Sequence, residues 1–374
     1  MTQPNNNEEQ DTEFEGDDSL DISVHPHPLG INTEIRIAKD QYSVYELLRK
    51  EQQKRVVLAP DFQRNDVWER RDKSELVESV LMGIPVPLIY MFEDENGVRQ
   101  VVDGKQRITA LKQFLNGDYR LTDLIMLSNL SGKNFCELDP LLQSRLEDYQ
   151  IAVYVIQPPT PEKVKFSIFE RVNRSGTKLN KQEMRHALYQ GKATDLIQEL
   201  AESHEFKLAT GYGVKSERMR DRYLVLRFVG FYLLVTGQLK NIEYRSDIDA
   251  FLAAVMKYIN KSAPDSVIEN VKSACLHGMK NIYDLLGGEA FRFRPKSGGK
   301  RRPINMGLFE MLTFAFCYLT PSNVDSDNAI FITDDYKNNI DDQGIFSGVV
   351  DTSDYVKLRF DMAQEIIRGL NNDK

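Results

Sequence analysis

Cysteine is scarce in this chain. Cys136, Cys275 and Cys317 are the three it has, too few and too scattered for a disulfide framework, and no Cys or His pair has zinc-finger spacing. That usage fits a reducing compartment. Long apolar runs are missing too: the most apolar stretch, 223–235, is interrupted by Arg227 and Gly230 and falls short of a membrane span. The first residues show no basic region followed by an apolar core. The expectation is a cytoplasmic protein with no membrane partner. Internal repeats are absent. So is basic charge from the start of the chain: no Lys or Arg precedes Arg36, whereas Glu8, Glu9, Asp11, Glu13, Glu15, Asp17, Asp18, Asp21 and Glu34 supply nine acids there. The remainder carries +1 against −8 for the whole chain. An acidic total therefore does not exclude a local basic groove for phosphates, because local field governs capture.

What is present suffices for one large or two ordinary domains: 374 residues, 41% of them hydrophobic. Residues 1–30 are polar, acidic and poor in large apolar groups, a composition that cannot repay ordering entropy and is read as a disordered tail. Order begins at Ser43-Val-Tyr-Glu46, a capping box that opens a helix to about residue 53, followed by a short strand at 56–59. A second helix fits 72–82, with Leu76, Val77, Val80 and Leu81 on one face and Gly83 as its stop. Asp94-Glu-Asn-Gly97 turns a hairpin between strands at 88–92 and 98–102, and the second strand delivers Asp103. A helix follows at once, burying Ile108, Leu111, Phe114 and Leu115 before Asn116-Gly117 ends it. Residues 151–156 form a β-prone run bounded by Gln-Pro-Pro and read as the last central strand. Beyond it the pattern is helical: Thr160-Pro161 and Asn180 with Glu183 open helices, and 218–235 and 354–370 are amphipathic.

The chemistry concentrates at Asp103-Gly104-Lys105-Gln106-Arg107. A strand that ends in Asp-Gly and passes directly into a helix places a carboxylate beside the N–H groups of a helix start, where the macrodipole favours anions. Gly104 would let a ligand approach the backbone, Lys105 and Arg107 add positive charge, and Gln106 can read a base or sugar edge. Asp103 would hold a metal or position a water. The same spacing also fits a plain i,i+4 ion pair between Asp103 and Arg107 at a helix start. A second Gln-Arg pair, Gln63-Arg64, lies in a loop with Trp68, the chain's one tryptophan, which serves either as a packing anchor or as a base-stacking platform.

Taken in order, Pro60-Asp-Phe-Gln63-Arg64 with Trp68, then Glu78-Ser-Val-Leu-Met-Gly-Ile-Pro85-Val-Pro87, then Val101-Val-Asp-Gly-Lys-Gln-Arg-Ile-Thr-Ala-Leu111, resemble the GmrSD restriction-endonuclease N-terminal domain family. The likeness continues through Phe169-Glu-Arg-Val-Asn173-Arg-Ser-Gly176-Thr-Lys-Leu179-Asn180-Lys-Gln-Glu183 and more weakly at Arg218-Met-Arg-Asp221 and Arg301-Arg-Pro-Ile-Asn305, covering roughly residues 40 to 310. It implies an α+β fold: a ParB/sulfiredoxin-like α/β nucleotide-binding domain over 31–158, then an all-helical domain over 159–374. It further implies triphosphate binding and hydrolysis with Mg2+, linked to restriction or phage defence. By position, Asp103, Gln106 and Arg107 are the catalytic candidates and Asp103 the metal ligand. Gln63, Arg64, Gly104, Lys105 and Asn173 are the nucleotide-binding candidates. One departure matters: Lys105 stands where the Asp-Gly-Gln-Gln-Arg signature commonly has Gln, which, if that Gln contacts the base, leaves the nucleotide preference open, while Lys offers a point charge for phosphate.

Restriction enzymes of this type often add a C-terminal His-Asn nuclease domain, of which the chain shows no sign. His186, His204 and His277 stand isolated on helical stretches and read as ordinary helix residues. Any DNA cleavage would then use the first site or a partner nuclease. The segment 291–302 gathers Arg292, Arg294, Lys296, Lys300, Arg301 and Arg302 around a Ser-Gly-Gly centre, and reads either as a DNA-phosphate grip or as a solvated basic loop. Three functions follow as expectations: a triphosphate-hydrolysing enzyme acting with or on DNA, a nucleotide-gated DNA- or partner-binding switch, and a direct metal-dependent nuclease.

Overall fold

The computed structural model describes residues 14–15, 35–58, 68–172, 179–295, 299–320, 324–347 and 351–371. The chain divides into two compact units, one of residues 25–179 and one joining 1–24 to 180–374. The architecture is the expected α+β: a sheet-containing unit, then helices.

In the first unit, β2 (Arg36–Ser43), β3 (Val56–Leu58), β4 (Ile89–Glu93), β5 (Arg99–Asp103) and β6 (Gln150–Gln157) form one sheet in the order β2-β6-β4-β5-β3. The β4–β5 hairpin and the central position of β6 agree with the sequence reading. β2 is the strand that reading missed. Its sequence, Arg-Ile-Ala-Lys-Asp-Gln-Tyr-Ser, is charged and mostly exposed, as suits an edge strand, so it lacks an apolar run to announce it. It nonetheless pairs along its whole length with β6, from Arg36 opposite Gln157 to Ser43 opposite Gln150.

Helices cover one face of this sheet. α1 (Val44–Gln52) starts where the Ser43 hydroxyl accepts the Glu46 N–H at 3.0 Å. α2 (Arg70–Met82) starts two residues earlier than the apolar pattern indicated, because Asp72 accepts the Glu69 N–H at 3.2 Å and closes a capping box around Glu69. It ends at Gly83 in the left-handed region. α3 (Lys105–Leu115) and α4 (Pro140–Asp148) complete the layer. Leu47, Val77, Val80, Ile108, Leu111 and Phe114 from the helices meet Ile89, Met91, Val101, Ile151, Val153 and Val155 from the strands in one buried core. Trp68 is half-buried against that core, which answers the sequence question in favour of a packing anchor. α5 (Glu162–Val172) also belongs to this unit. The sequence placed the domain change at 158/159 because Gln-Pro-Pro ends the last strand; that signal marks the end of the sheet, whereas the compact units divide at 179/180.

The second unit contains α6 (Lys181–Leu188), α7 (Lys192–Glu202), α8 (His204–Ala209), α9 (Arg220–Val235), α10 (Ile248–Lys261), α11 (Asp265–Leu286), α12 (Met306–Phe316), α13 (Ser326–Asp342) and α14 (Ser353–Asn371). α12 is its axis: every residue from Met306 to Phe316 is buried. The unit is not purely helical as expected, since β1 (Phe14–Glu15) pairs in parallel with β7 (Ile304–Asn305). Phe14 and Glu15 therefore depart from the expected disordered tail; the rest of residues 1–30 lie outside the described residues. Among the described residues no helix is long and apolar enough to cross a membrane.

Candidate functional site at the strand–helix junction

The junction at Asp103 is shaped by an irregularity in the hairpin. Met91 pairs with Val101, but Tyr90 pairs with Asp103, so Val102 is an extra residue on β5. Strict alternation would set Asp103 opposite Ile89 and on the core side with Val101; the bulge shifts it by one position. The Asp103 side chain keeps 35% of its surface exposed, unusual for a residue at the end of a strand whose two preceding valines are buried.

Gly104 then turns the chain into α3 with φ of +99°. A Cβ here would stand 2.7 Å from Cγ1 of Ile89 and 3.3 Å from a terminal nitrogen of Arg107. The glycine is thus demanded by backbone conformation and by the protein's own packing, where the sequence suggested room for a ligand. No side chain caps α3, and its first turn holds no acid; Lys105 and Gln106, both half-buried, occupy that turn instead. An acid-free, basic first turn reverses the usual preference at helix starts and favours an external anion.

Arg107 turns inward. Its side chain is 11% exposed, and it donates to Asp103 Oδ2 at 2.7 Å, to the Leu88 carbonyl at 3.2 Å and to the Pro87 carbonyl. The i,i+4 ion pair is therefore real, but it is no plain surface pair: Arg107 ties Asp103 to the turn that enters β4 and fixes the carboxylate's orientation. In this structure the planar fork of Arg107 is engaged by the protein itself.

Gln63, Arg64 and Asn173 lie outside the described residues. β3 runs parallel to β5, with Leu58 opposite Val101. A small depression lined by Arg70, Lys73, Gln113, Asp118 and Tyr119 involves the far end of α3 and is not part of this junction.

The second motif is described from Leu179 onward. Asn180 and Glu183 cap α6 reciprocally, as expected, at 2.8 Å and 2.6 Å. The structure adds Arg218, which pairs with Glu183 at 3.2 Å while its carbonyl accepts the Asn180 amide at 2.6 Å. Arg218 and Met219 both adopt positive φ, 58° and 56°, strain held in place by these bonds. Burial pushes the carboxyls of Glu183 and Asp221 above their usual range. His186 on α6 is buried beside Arg222 and pushed down to about 4, by burial first and by that guanidinium second.

The basic segment is largely neutralised within its own unit. Arg292 is buried, with its guanidinium 3.7 Å from Glu289; Arg294 pairs with Asp334 at 2.6 Å, Arg301 with Glu289, and Arg302 with Asp341 at 2.6 Å and with Glu15. Lys300 is exposed, and Lys296 lies outside the described residues. Sequence reasoning missed a separate charged cluster. Arg227 and Arg359, each fully buried, converge on Glu310 and Asp351, with Arg227 donating to Asp351 at 2.9 Å and to the Tyr223 hydroxyl at 3.2 Å. Its signal was visible: an arginine inside the apolar run of α9, taken only as a reason against a membrane span.

A mixed α/β unit with a carboxylate and basic residues at a glycine-bearing strand–helix junction, followed by helices, defines the class. Residues 44–190 match the family described as GmrSD restriction endonuclease, N-terminal domain. The match runs from α1 to just beyond α6, so it spans the junction, the second motif and the 179/180 division, and omits β2. No curated protein matches the chain.

Proposed function

We propose that the chain is a nucleoside-triphosphate-dependent component of a DNA restriction system, with the triphosphate bound and hydrolysed at the Asp103 junction. The observation that carries this reading is Asp103 itself: a carboxylate kept exposed by a bulge, aimed by a buried arginine, and set beside a basic, uncapped helix start. That combination suits positioning and electrostatic stabilisation, which supply most of the catalysis in phosphoryl transfer. Lys105 offers a point charge to a phosphate, Gln106 a polar contact, and Asp103 orients the attacking water or shares a cation with the phosphates. Among the described residues no three His, Cys, Asp or Glu side chains gather as a metal cage. Mg2+ still fits, because that ion is commonly held by one or two carboxylates together with substrate phosphates; when bound, it would neutralise charge developing on the phosphate oxygens.

A second reading, a nucleotide-gated switch without turnover, is favoured by the sparse equipment for acid–base chemistry, since no histidine occurs between His27 and His186. Both readings place DNA as the macromolecular target, in keeping with the restriction-endonuclease family. The deciding experiment is phosphate release from each of the four ribonucleoside triphosphates with magnesium, with and without duplex DNA. Turnover supports the enzyme. Saturable binding without turnover supports the switch, and nicking of supercoiled plasmid with metal alone replaces both with a direct nuclease.

A further inference from the structure

The acids that precede Arg36 include one that the structure places against a basic surface. Glu15 follows Phe14 in β1, whose two residues pair in parallel with Ile304 and Asn305 of β7. Phe14 is 8% exposed and anchors the strand, and Glu15 forms an ion pair with Arg302. The other side of the Arg302 guanidinium is held by Asp341, and its plane lies 4.8 Å from the centre of the Phe293 ring.

The segment that carries Arg302 holds further positive charges. Asp334 and Asp341, two turns apart on α13, hold Arg294 and Arg302. Arg294 keeps 68% and Arg301 50% of their side-chain surface exposed, and Lys300 is exposed as well. Of these cations Arg302 is the enclosed one, at 16%, and Glu15 is among the groups that enclose it. The contact is also poorly made on the Glu15 side: among the described residues, its second carboxylate oxygen is buried with no hydrogen-bond partner. A two-residue strand with a half-satisfied buried carboxylate is an element that can be displaced at low cost, because a buried acceptor without a partner opposes docking.

We propose that β1 is an intramolecular acidic plug. Glu15 occupies the place of a backbone phosphate on Arg302, and release of β1 completes a phosphate-binding set of Arg294, Lys300, Arg301 and Arg302 for duplex DNA. The sequence supplies the logic: Glu8, Glu9, Asp11, Glu13, Asp17, Asp18 and Asp21 flank the docked pair, so the segment that bears β1 is a polyanion and competes with nucleic acid by like charge. Duplex DNA is the partner because several exposed basic side chains on one segment suit repeated phosphates and carry no sequence code. The choice of DNA rests on the function proposed above; the plug itself rests on the β1 contacts alone.

The test uses the full chain, a fluorescein-labelled duplex and anisotropy at several salt concentrations, without nucleotide. Phe14→Ala removes the anchor and leaves every charge in place. It is expected to tighten DNA binding about tenfold at 50 mM salt and to steepen the slope of log K against log salt by about one, for the Arg302 charge no longer shared with Glu15. Glu15→Gln should tighten binding as well. Adding Arg301→Gln and Arg294→Gln to Phe14→Ala should erase the gain, and both positions are exposed enough to spare the fold. Unchanged affinity and slope in Phe14→Ala, with an unaltered circular dichroism spectrum, would overturn the plug. So would a gain in Glu15→Gln without one in Phe14→Ala, which would reduce the effect to removal of one negative charge. None of these outcomes depends on triphosphate turnover, so the failure of one proposal is distinguishable from the failure of the other.

Discussion

Two charged clusters in this molecule have nearly the same ingredients and opposite designs. At the junction, one arginine and one aspartate meet at the end of a strand, and the aspartate remains one-third exposed. In the helical unit, Arg227, Arg359, Glu310 and Asp351 also pair, but both arginines and Glu310 are completely enclosed. Within the enclosed cluster, the dominant effect of burial holds the Arg359 guanidinium below its ordinary value, while the carboxylates beside Arg227 raise that group well above it despite the same burial. Charges of the first kind remain accessible to solvent. Charges of the second kind fix how α9, α12 and α14 pack, and their cost is recovered only while every partner remains.

That contrast is sharpest in Glu310→Ala. Removing the carboxylate takes the nearest anion from the fully buried Arg359 and one of two from Arg227, for an expected loss of about 3–5 kcal/mol in urea denaturation. A loss below about 1 kcal/mol would dissolve the distinction between the clusters. Gly104→Ala comes next. With φ of +99° and a Cβ 2.7 Å from Ile89, the strained turn has to shift. The expected cost is about 2–4 kcal/mol, with loss of function because Asp103 moves with it.

The helical unit should also carry a pH signature. His186 is pushed down to about 4 in the folded chain, against an ordinary value of 6.5. Between those values the unfolded chain binds a proton that the folded chain refuses, so stability falls as pH drops through that window. The full effect is at most roughly 3 kcal/mol. Glu183 and Asp221, raised by burial, act in the opposite sense, favouring the folded state as pH falls. The slope of wild type minus that of His186→Gln isolates the histidine, and identical slopes would show that His186 is not enclosed as described. Smaller again is Arg107→Lys. It keeps the charge but loses the fork that reaches Asp103, Leu88 and Pro87, and should cost about 1–2 kcal/mol in thermal melting. Its triphosphate affinity should change less than its turnover, as befits a residue that aims Asp103; the reverse pattern would restore Arg107 as a phosphate ligand.

Local signals in the sequence carried most of the α/β unit. The Asn96-Gly97 turn, the Ser43 and Asn180 caps and the Gly83 stop each satisfy a backbone requirement within a few residues, and each is found where it was expected. What stayed hidden depends on distant partners. β2 is ordered by eight pairings with β6, more than a hundred residues away, and not by its own composition. The inward turn of Arg107 depends on the carbonyls of Pro87 and Leu88. Likewise Arg292 and Arg302, indistinguishable in sequence from solvated cations, are enclosed by carboxylates of Glu289, Asp341 and Glu15. At the junction the residue types were legible, whereas their arrangement, with Arg107 turned inward onto Asp103, depends on the bulge at Val102 and on the Arg107–Asp103 ion pair.

The central claim is that Asp103 is placed for chemistry and not for stability, and the measurement that tests it most directly is Asp103→Asn, followed in parallel by thermal melting and by triphosphate turnover with magnesium. The account predicts a stability change below about 1 kcal/mol, as for other partly exposed ion pairs, together with loss of turnover. Preserved turnover, or a loss of turnover matched by wholesale unfolding, would contradict it.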